Sequence, residues 1–343
     1  MAKKVTLRDV ADLANVALGT ASQALNGKEG VLHGTRERVI RAAKELGYDQ
    51  RFHFAENHPV ELRTIGVIKH NQHDRPGLDP FYFPVISGIE RECREFGLNM
   101  VYTTIEVDEY NRAVRLGANI QPGSFDGLIV VGTYLNQEIS RQVAATGCPV
   151  VLVDGYSERN RWDRILMNNA DGAYRAVNFL IEKGHRHIGL IGSSSNCYPS
   201  IRERRDGYFA ALRDHGIQES YVVDSVLNRD AAQAAGLELL QRHPQVTGVF
   251  VVNDHAAIGF INAAREVGRN VPDGLSVVGF DDISFAQDMV PPLTTMHVDK
   301  MEMGRLALRQ LCYRIENLDK PPVSILVDTS LVIRKSVQTL TIK

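Results

Sequence analysis

The sequence predicts a small all-helical head followed by an α/β body with parallel sheets, and three observations carry that prediction. The first fifty residues hold three short apolar stripes of helical period. From Thr64 onward, short β-branched runs alternate with helical patterns. The chain has 343 residues, more than one hydrophobic core usually serves, so several domains are expected.

Composition excludes several classes. Hydrophobic residues make up 44 % and charged residues 23 %, and no stretch approaches the roughly 18 apolar residues of a membrane span. The opening Met1–Thr6 runs into Arg8, Asp9 and Asp12 without the apolar block of a secretory signal, so a cytoplasmic protein with no membrane partner is expected. Cys93, Cys148, Cys197 and Cys312 are scattered with no CxxC spacing, which fits reduced structural thiols better than a disulfide frame or a zinc site. Residues 1–50 carry eight Lys or Arg and six Asp or Glu, a net of +2 on a chain whose total is −2. A basic head on an acidic body is a weak hint of nucleic acid.

In the head, Leu7, Val10, Ala11 and Ala14 form one helical face, and Thr6 with Asp9 makes a Thr-x-x-Asp capping pattern. Asn15 suits the left-handed residue of a sharp turn. A second helix over Leu18–Leu25 turns Ala21, Ala24 and Leu25 inward and Thr20, Ser22 and Gln23 outward, and stops at Asn26-Gly27. Thr35 is placed to cap a third helix packing through Val39, Ile40, Ala43 and Leu46 and ending at Gly47. Two short helices joined by a three-residue turn and braced by a third make a helix-turn-helix.

These residues, Val5 to Ala14, Thr20-Ala21-Ser22, Leu25-Asn26-Gly27, Thr35 to Val39 and Leu46-Gly47-Tyr48, resemble the DNA-binding head of the lactose-repressor (LacI/GalR) family. The resemblance continues through Asp79-Pro80-Phe81-Tyr82, Arg202-Glu203-Arg204, Asn253-Asp254 and Gly279-Phe280-Asp281-Asp282, so it covers nearly the whole chain. It implies a helix-turn-helix domain over residues 1–49, a hinge over 50–62 and a two-lobed periplasmic-binding-protein-like body over 63–343. Lobe one would hold about 63–165 and 293–325, and lobe two 166–292 and 326–343.

The second helix of such a head enters the major groove with its first residues nearest the bases. Operator DNA is therefore the expected partner of Thr6, Leu18, Gly19, Thr20, Ser22, Gln23, Asn26 and Arg36. Gln23 can pair bidentately with adenine, and Leu18 can touch a thymine methyl. The chain departs from the family at Ala17, where a capping Ser is usual, at Gly19, which has no side chain to read a base, and at Gln23, where Arg is usual.

In the body, strands are expected at Thr64–Ile68, Met100–Thr103, Gly127–Val131, Val150–Val153, His187–Ile191, Gly248–Val252 and Leu275–Gly279. The family's effector cleft lies at the strand carboxyl ends, and correspondence places Asp79, Phe81, Tyr82, Asp154, Arg202, Asn253 and Asp281 around it. Aromatic faces with Asp, Asn and Arg suit a small polyhydroxylated ligand. Lys300 reads either as a cation for a ligand carboxylate or phosphate or, more commonly, as a snorkelling surface lysine. Walker A is absent, Gly189-Leu190-Ile191-Gly192 is only the tail of a dinucleotide pattern, and Ser193-Ser194-Ser195 lacks a nucleophile's flanking glycines. His185 and His187 alternate as strand residues do but have no acidic or Cys partner spaced for a metal. No enzymatic activity, cofactor or metal is expected.

The expectation is thus a homodimeric, ligand-responsive transcriptional regulator, a repressor controlled by a sugar or sugar-like effector. A solute-binding protein would account for residues 63–343 but leave the head without a use.

One departure generates a prediction. The family's hinge places a leucine wedge in the minor groove, and ungapped correspondence puts Asn57 there, with Glu56 before it and His58-Pro59 after. Asn57 cannot act as an apolar wedge, Glu56 is repelled by phosphate, and Pro59 disfavours helix at His58. The operator should therefore be bent less than by a leucine-hinged relative, and a one-base-pair change in half-site spacing should be tolerated. Circular-permutation gel shifts measure the bend. A strong central kink abolished by Leu62→Ala or Phe54→Ala would show that another residue is the wedge.

Overall fold

The computed structural model describes residues 5–25, 31–46, 64–70, 79–159, 161–194 and 196–340. The chain divides into two compact units, a head and a body. Asn26, Gly47 and the whole expected hinge, 50–62, lie outside the described residues.

The head consists of α1 (Leu7–Ala14), α2 (Leu18–Leu25) and α3 (His33–Leu46). The capping box forms: Asp9 N–H donates to Thr6 Oγ1 at 3.3 Å and Thr6 N–H donates back to Asp9 Oδ2 at 2.7 Å. Asn15 takes φ 51° and closes α1, its N–H bonded to the carbonyls of Ala11 and Asp12. Small residues let the three helices approach closely, with Val10, Ala11, Ala21, Ala24, Val39 and Ala43 buried.

Two expectations about α3 need correction. It starts at His33, so Thr35 lies inside its first turn, where its N–H donates to the Leu32 carbonyl at 2.9 Å. Ile40 faces outward at 40 % exposure and Ala42 packs instead, because Val39, Ala42, Ala43 and Leu46 share one face at 3.6 residues per turn and position 40 falls beside it.

The body's first lobe begins with β1 (Thr64–His70), α4 (Tyr82–Phe96), β2 (Asn99–Val107), β3 (Ala113–Arg115), β4 (Gly127–Val131), β5 (Tyr134–Leu135), α5 (Gln137–Ala145), β6 (Val150–Val153), β7 (Tyr156–Ser157) and β8 (Asp163–Met167). The chain then crosses to lobe two, built from α6 (Asn169–Glu182), β9 (Ile188–Ile191), α7 (Pro199–Asp214), β10 (Tyr221–Val223), α8 (Arg229–Arg242), β11 (Gly248–Val251), α9 (Asp254–Glu266), β12 (Ser276–Asp281) and β13 (Thr294–Val298). It returns as α10 (Lys300–Glu316) and β14 (Ser324–Val327), and crosses a third time into β15 (Thr329–Val332).

The lobe-one sheet runs β14-β8-β6-β4-β1-β2-β3 and the lobe-two sheet β10-β9-β11-β12-β13-β15. Only β3 and β15 pair antiparallel within them. A two-stranded ribbon pairs β5 with β7. The expected strands are present, several with shifted ends, while the short strands at Asp163–Met167, Tyr221–Val223 and Thr294–Val298 had no long apolar run to announce them.

The return to lobe one, expected near residue 293, falls at Asp299–Lys300, because Thr294–Val298 first pairs in parallel with β12. The final crossing falls after Val327 rather than at 326, because β14 pairs with β8 through that residue. His187 precedes β9 instead of opening it. His185 is fully buried against Thr247 and the Gln338 carbonyl, while His187 is partly exposed beside Tyr221, so the two do not share a face. Among the described residues no group of His, Cys, Asp or Glu is placed to hold a metal, and no helix is long and apolar enough to cross a membrane.

α4 and α10 touch backbone to backbone. A Cβ on Gly88 would lie 2.1 Å from the Met301 carbonyl and one on Gly304 2.0 Å from the Val85 carbonyl, so only glycine fits at either point. Glu92, buried in the same seam, is paired with Arg309 at 2.7 Å and Arg305 at 3.6 Å.

At the far end of α10, Asp163 is fully buried and accepts from Arg314 at 2.8 Å, from Gln310 at 2.9 Å and from Val323 N–H at 2.7 Å. Burial pushes its carboxyl up, but these hydrogen bonds outweigh it and hold the group below the ordinary aspartate range. A carboxyl lowered by folding stabilises above its unfolded value near pH 4 and loses that contribution as pH falls through the folded one. Asp163→Ala should cost about 3–5 kcal/mol at neutral pH by leaving the Arg314 charge with only the carbonyls of Asn317, Lys320 and Pro321, and the cost should shrink toward pH 3. Urea unfolding at the two pH values checks both; a pH-independent cost would place the loss in packing instead.

Candidate functional site

The carboxyl ends of the two body sheets face a polar cleft whose floor is built from residues of both lobes. Asp79 opens α4: its Oδ1 accepts from the N–H groups of Phe81 and Tyr82 at 3.1 and 3.0 Å, and its Oδ2 meets Lys69 Nζ at 2.9 Å. That cap aims the Tyr82 ring inward, edge-on to His70 and to Phe81, and its hydroxyl donates to Asp154 Oδ2 at 2.7 Å. Asp154 follows β6 at φ 42°, a left-handed conformation that turns the chain at the strand end. Its carbonyl accepts from the hydroxyl of Tyr198, in lobe two, at 2.6 Å, and the Tyr198 ring stands edge-on to Tyr156 at 5.3 Å. Asp154 Oδ1 and the Tyr156 hydroxyl are buried with no hydrogen-bond partner.

Lobe two supplies Arg204, 3 % exposed on the inner face of α7. Its guanidinium donates to Asn169 Oδ1 at 2.9 Å and to the Val252 carbonyl at 2.6 Å, ion-pairs with Asp281 at 3.0 Å, and lies 3.7 Å over the Phe280 ring. Asp281 sits at φ 109°, the last residue of β12. Burial pushes its carboxyl above the ordinary range, with Arg204 and Lys300 pulling the other way.

Lys300 is not the snorkelling surface lysine of the commoner reading. Its ammonium is buried and donates to the carbonyls of Asp281, Asp282 and Val298, so the first residue of α10 is tied to the strand ends of the other lobe. It also stands 5.8 Å over the Phe81 ring.

Of the residues singled out in the sequence, Phe81, Tyr82, Asp154 and Asp281 are therefore joined through Lys300 and Arg204, while Asp79 and Asn253 are occupied as helix caps. Asn253 Oδ1 accepts from Ala256 N–H at 2.8 Å to start α9. Asp254 is fully buried, accepting from Thr295 at 2.6 Å and Ile283 N–H at 3.0 Å. Arg202 is exposed, outside this floor, and the arginine inside it is Arg204. The signal was in the sequence: Ile201, Arg204, Tyr208 and Ala211 recur at 3, 4 and 3, the buried face of α7, and Arg202 falls off that face.

Arg202 instead borders an open cavity of about 500 Å³ in front of the floor, whose walls include Tyr110, Arg112, Tyr134 and Glu158 from lobe one and Tyr198 from lobe two. The β5–β7 ribbon builds the lobe-one wall, and Arg112 bridges to Tyr134 through the backbone.

In the head, α2 turns Leu18, Gly19 and Gln23 to solvent, with Leu18 46 % exposed and nothing within 4 Å of where a Cβ on Gly19 would lie. Thr20 and Ser22 are half-buried at the margin of this face, and so is Arg36 on α3. The Thr6 hydroxyl donates to Asp9 at 2.6 Å, so it already serves the capping box. At Ala17 the carbonyl accepts from Ala21 N–H at 3.0 Å, and its methyl side chain has no group with which to cap the helix start.

Comparison with known proteins bears on both units. The profile of bacterial regulatory proteins of the lacI family matches residues 6–50, and that of a periplasmic binding protein-like domain matches 177–337. The chain is 30 % identical over 341 residues to the ribose operon repressor of Haemophilus influenzae, covering 98 % of this chain and 99 % of that one. Among solved structures, it resembles a transcriptional regulator CelR-cellobiose complex, with TM-score 0.71, 29 % identity and coverage of 97 % and 100 %. It also resembles the lac repressor dimer bound to operator and the anti-inducer ONPF, with TM-score 0.67, 25 % identity and coverage of 98 % and 100 %.

The floor makes one prediction that needs no ligand. Burial pushes the Asp154 carboxyl up to about 7, only partly offset by the Tyr82 hydroxyl and the Arg204 charge. A carboxyl raised by folding holds a proton that the unfolded chain has released, so stability falls as pH rises from about 4 to 7 and is level above. Asp154→Asn, whose amide oxygen can still accept from Tyr82, should remove that fall, gaining on the order of 2–4 kcal/mol over the native chain between pH 4.5 and 7.5. Parallel thermal melts test it, and a difference that stays constant with pH would sink it.

Proposed function

This chain belongs to the lacI family of bacterial regulatory proteins, and from that premise we propose that it is a repressor whose grip on operator DNA is set by a small carbohydrate in the body's cleft. The observation that carries the reading is the open face of α2, with Leu18, Gly19 and Gln23 presented on a head whose own core is satisfied. Such a face has no use in a protein that only carries solutes. Thr6, Thr20, Ser22, Asn26 and Arg36 are the further candidates for phosphate or base contact. Two copies reading a near-palindromic operator match the symmetry of this kind of recognition, and the lac repressor is a dimer on its operator.

The cleft supports the effector half of the reading. Tyr82, Asp154, Arg204 and Asp281 offer aromatic surface, carboxylates and a guanidinium, which suit vicinal hydroxyls. One relative is named for the ribose operon, and another is solved as a complex with cellobiose. The protein acts by binding, in the cytoplasm, without turning the ligand over. A sugar that prefers one arrangement of the lobes shifts the population, and operator affinity changes by the reciprocal factor.

Gel shifts of the full chain on genomic fragments test the reading. A fragment should be retained far more tightly than random DNA, and Gln23→Ala should cost about 1–3 kcal/mol there while relaxing one base position. A sugar that changes retention should lose its effect in Asp154→Asn, which leaves the Arg204 pairing in place, while operator binding without sugar persists. No preference for any fragment over random DNA would overturn the assignment.

A further inference from the structure

We propose that Lys300 is a positioning residue of the cleft: its ammonium, shut in a cage of three backbone carbonyls, is a built-in cation that holds Asp281 where its carboxylate meets Arg204 and the effector. This rests on the reading that the cleft takes the effector.

Every donor of the ammonium is used. Nζ donates to the carbonyls of Asp281, Asp282 and Val298, the last two at 3.1 Å. A neutral amine has only two N–H groups, so three converging carbonyls require the charged form. No donor is left for a ligand, and Lys300 therefore acts on one through Asp281. Burial, at 7 % exposure, pulls its pKa down, while the carboxylates of Asp281, Asp282, Asp254 and Asp299 pull it up. Its place in the chain sharpens the point, because Lys300 is the first residue of α10, where the helix dipole disfavours a cation. Asp299 already caps that end, its Oδ1 accepting from Glu302 N–H at 3.0 Å.

The carbonyls come from a backbone that needs holding. Asp281 at φ 109° and Asp282 at φ 49° are consecutive non-glycine residues in the left-handed region. Asp282 has other anchors, its Oδ1 accepting from Arg334 at 2.7 Å and its Oδ2 facing His297 Nδ1 at 2.9 Å. Asp281 has only Arg204, at 3.0 Å, and that guanidinium is itself fixed by Asn169 and the Val252 carbonyl. The aim of Asp281 is therefore set from the other side of its own peptide, by Lys300. The cage also spans the lobes. Lys300 opens α10 and stands 5.8 Å over the Phe81 ring, both in lobe one, while the carbonyls close β12 and β13 of lobe two. A shift of one lobe against the other reaches Asp281 through this ammonium.

Chemical rescue of the full-length protein tests it. Lys300→Ala removes three methylenes and the ammonium, which n-propylammonium replaces; 1-propanol replaces the carbons without the charge. In thermal melts, n-propylammonium chloride should raise the lowered Tm of Lys300→Ala saturably, where 1-propanol or equal sodium chloride does not, and should leave the native chain unmoved. Asp281→Asn should lower the native Tm but add little in the Lys300→Ala background, and the amine should bring that difference back. Among D-ribose, D-glucose, D-galactose, D-xylose and cellobiose, any that changes operator retention by the native chain about tenfold should lose most of its effect in Lys300→Ala and regain it with the amine. Additive costs of the two substitutions, unmoved by the amine, would make Lys300 a packing residue and overturn the proposal. If Lys300→Ala does not fold, Lys300→Met, which keeps the stem without the charge, enters the same cycle, and additivity there overturns it equally. A full sugar response in folded Lys300→Ala would also overturn it. If no probe alters retention by the native chain, the carbohydrate reading fails, and the melts alone decide the role of Lys300.

Discussion

A guanidinium shut away from water has to be paired, and the pairing of Arg204 is the constraint around which the body is arranged. Its partners come from the first crossing, through Asn169, from the end of β11, through the Val252 carbonyl, and from the end of β12, through Asp281. Losing any of them would leave a buried charge only partly satisfied, which is far costlier than losing a surface ion pair. The unusual backbone of Asp281 follows from this demand: at φ 109° the residue turns its carboxylate toward Arg204 and its carbonyl toward Lys300. Strain at a strand end is tolerated where several contacts over-determine it.

The same arrangement makes the cleft a joint. The chain passes between the lobes three times, and the polar floor lies where those passages are tied by side chains. Tyr198 of lobe two bonds to the Asp154 carbonyl of lobe one, and Lys300 on α10 reaches carbonyls of Asp281, Asp282 and Val298. A ligand that replaces some of these bonds with its own changes the relative stability of lobe arrangements, which is all that a switch requires. Among relatives, one is solved with cellobiose and another with an anti-inducer and operator. The head follows different rules, since its few small apolar side chains allow close helix packing and leave the outward residues of α2 for a partner.

Much of this was legible in the sequence because it depends on short-range periodicity. The stripes of α1 and α2, the Thr6–Asp9 box, the left-handed Asn15 and the buried runs of β4 and β6 are each set within a few residues, where local geometry leaves little choice. The same rule separates Arg204 from Arg202, whereas a Thr35 cap does not follow because the third helix begins two residues earlier, at His33, where the Leu32 carbonyl accepts from the N–H groups of Thr35 and Arg36.

By itself, then, the sequence determined the head, the alternation of strands and helices, and the kinds of side chain gathered at the cleft. Only the tertiary structure decided where the chain returns between lobes and that Lys300 is a buried tie rather than a surface lysine. Those outcomes rest on pairing between segments far apart in the chain: Thr294–Val298 becomes a strand because β12 is beside it, and Lys300 can be buried charged only because three carbonyls converge on it. The free energy of a buried polar group depends on partners that no local pattern specifies.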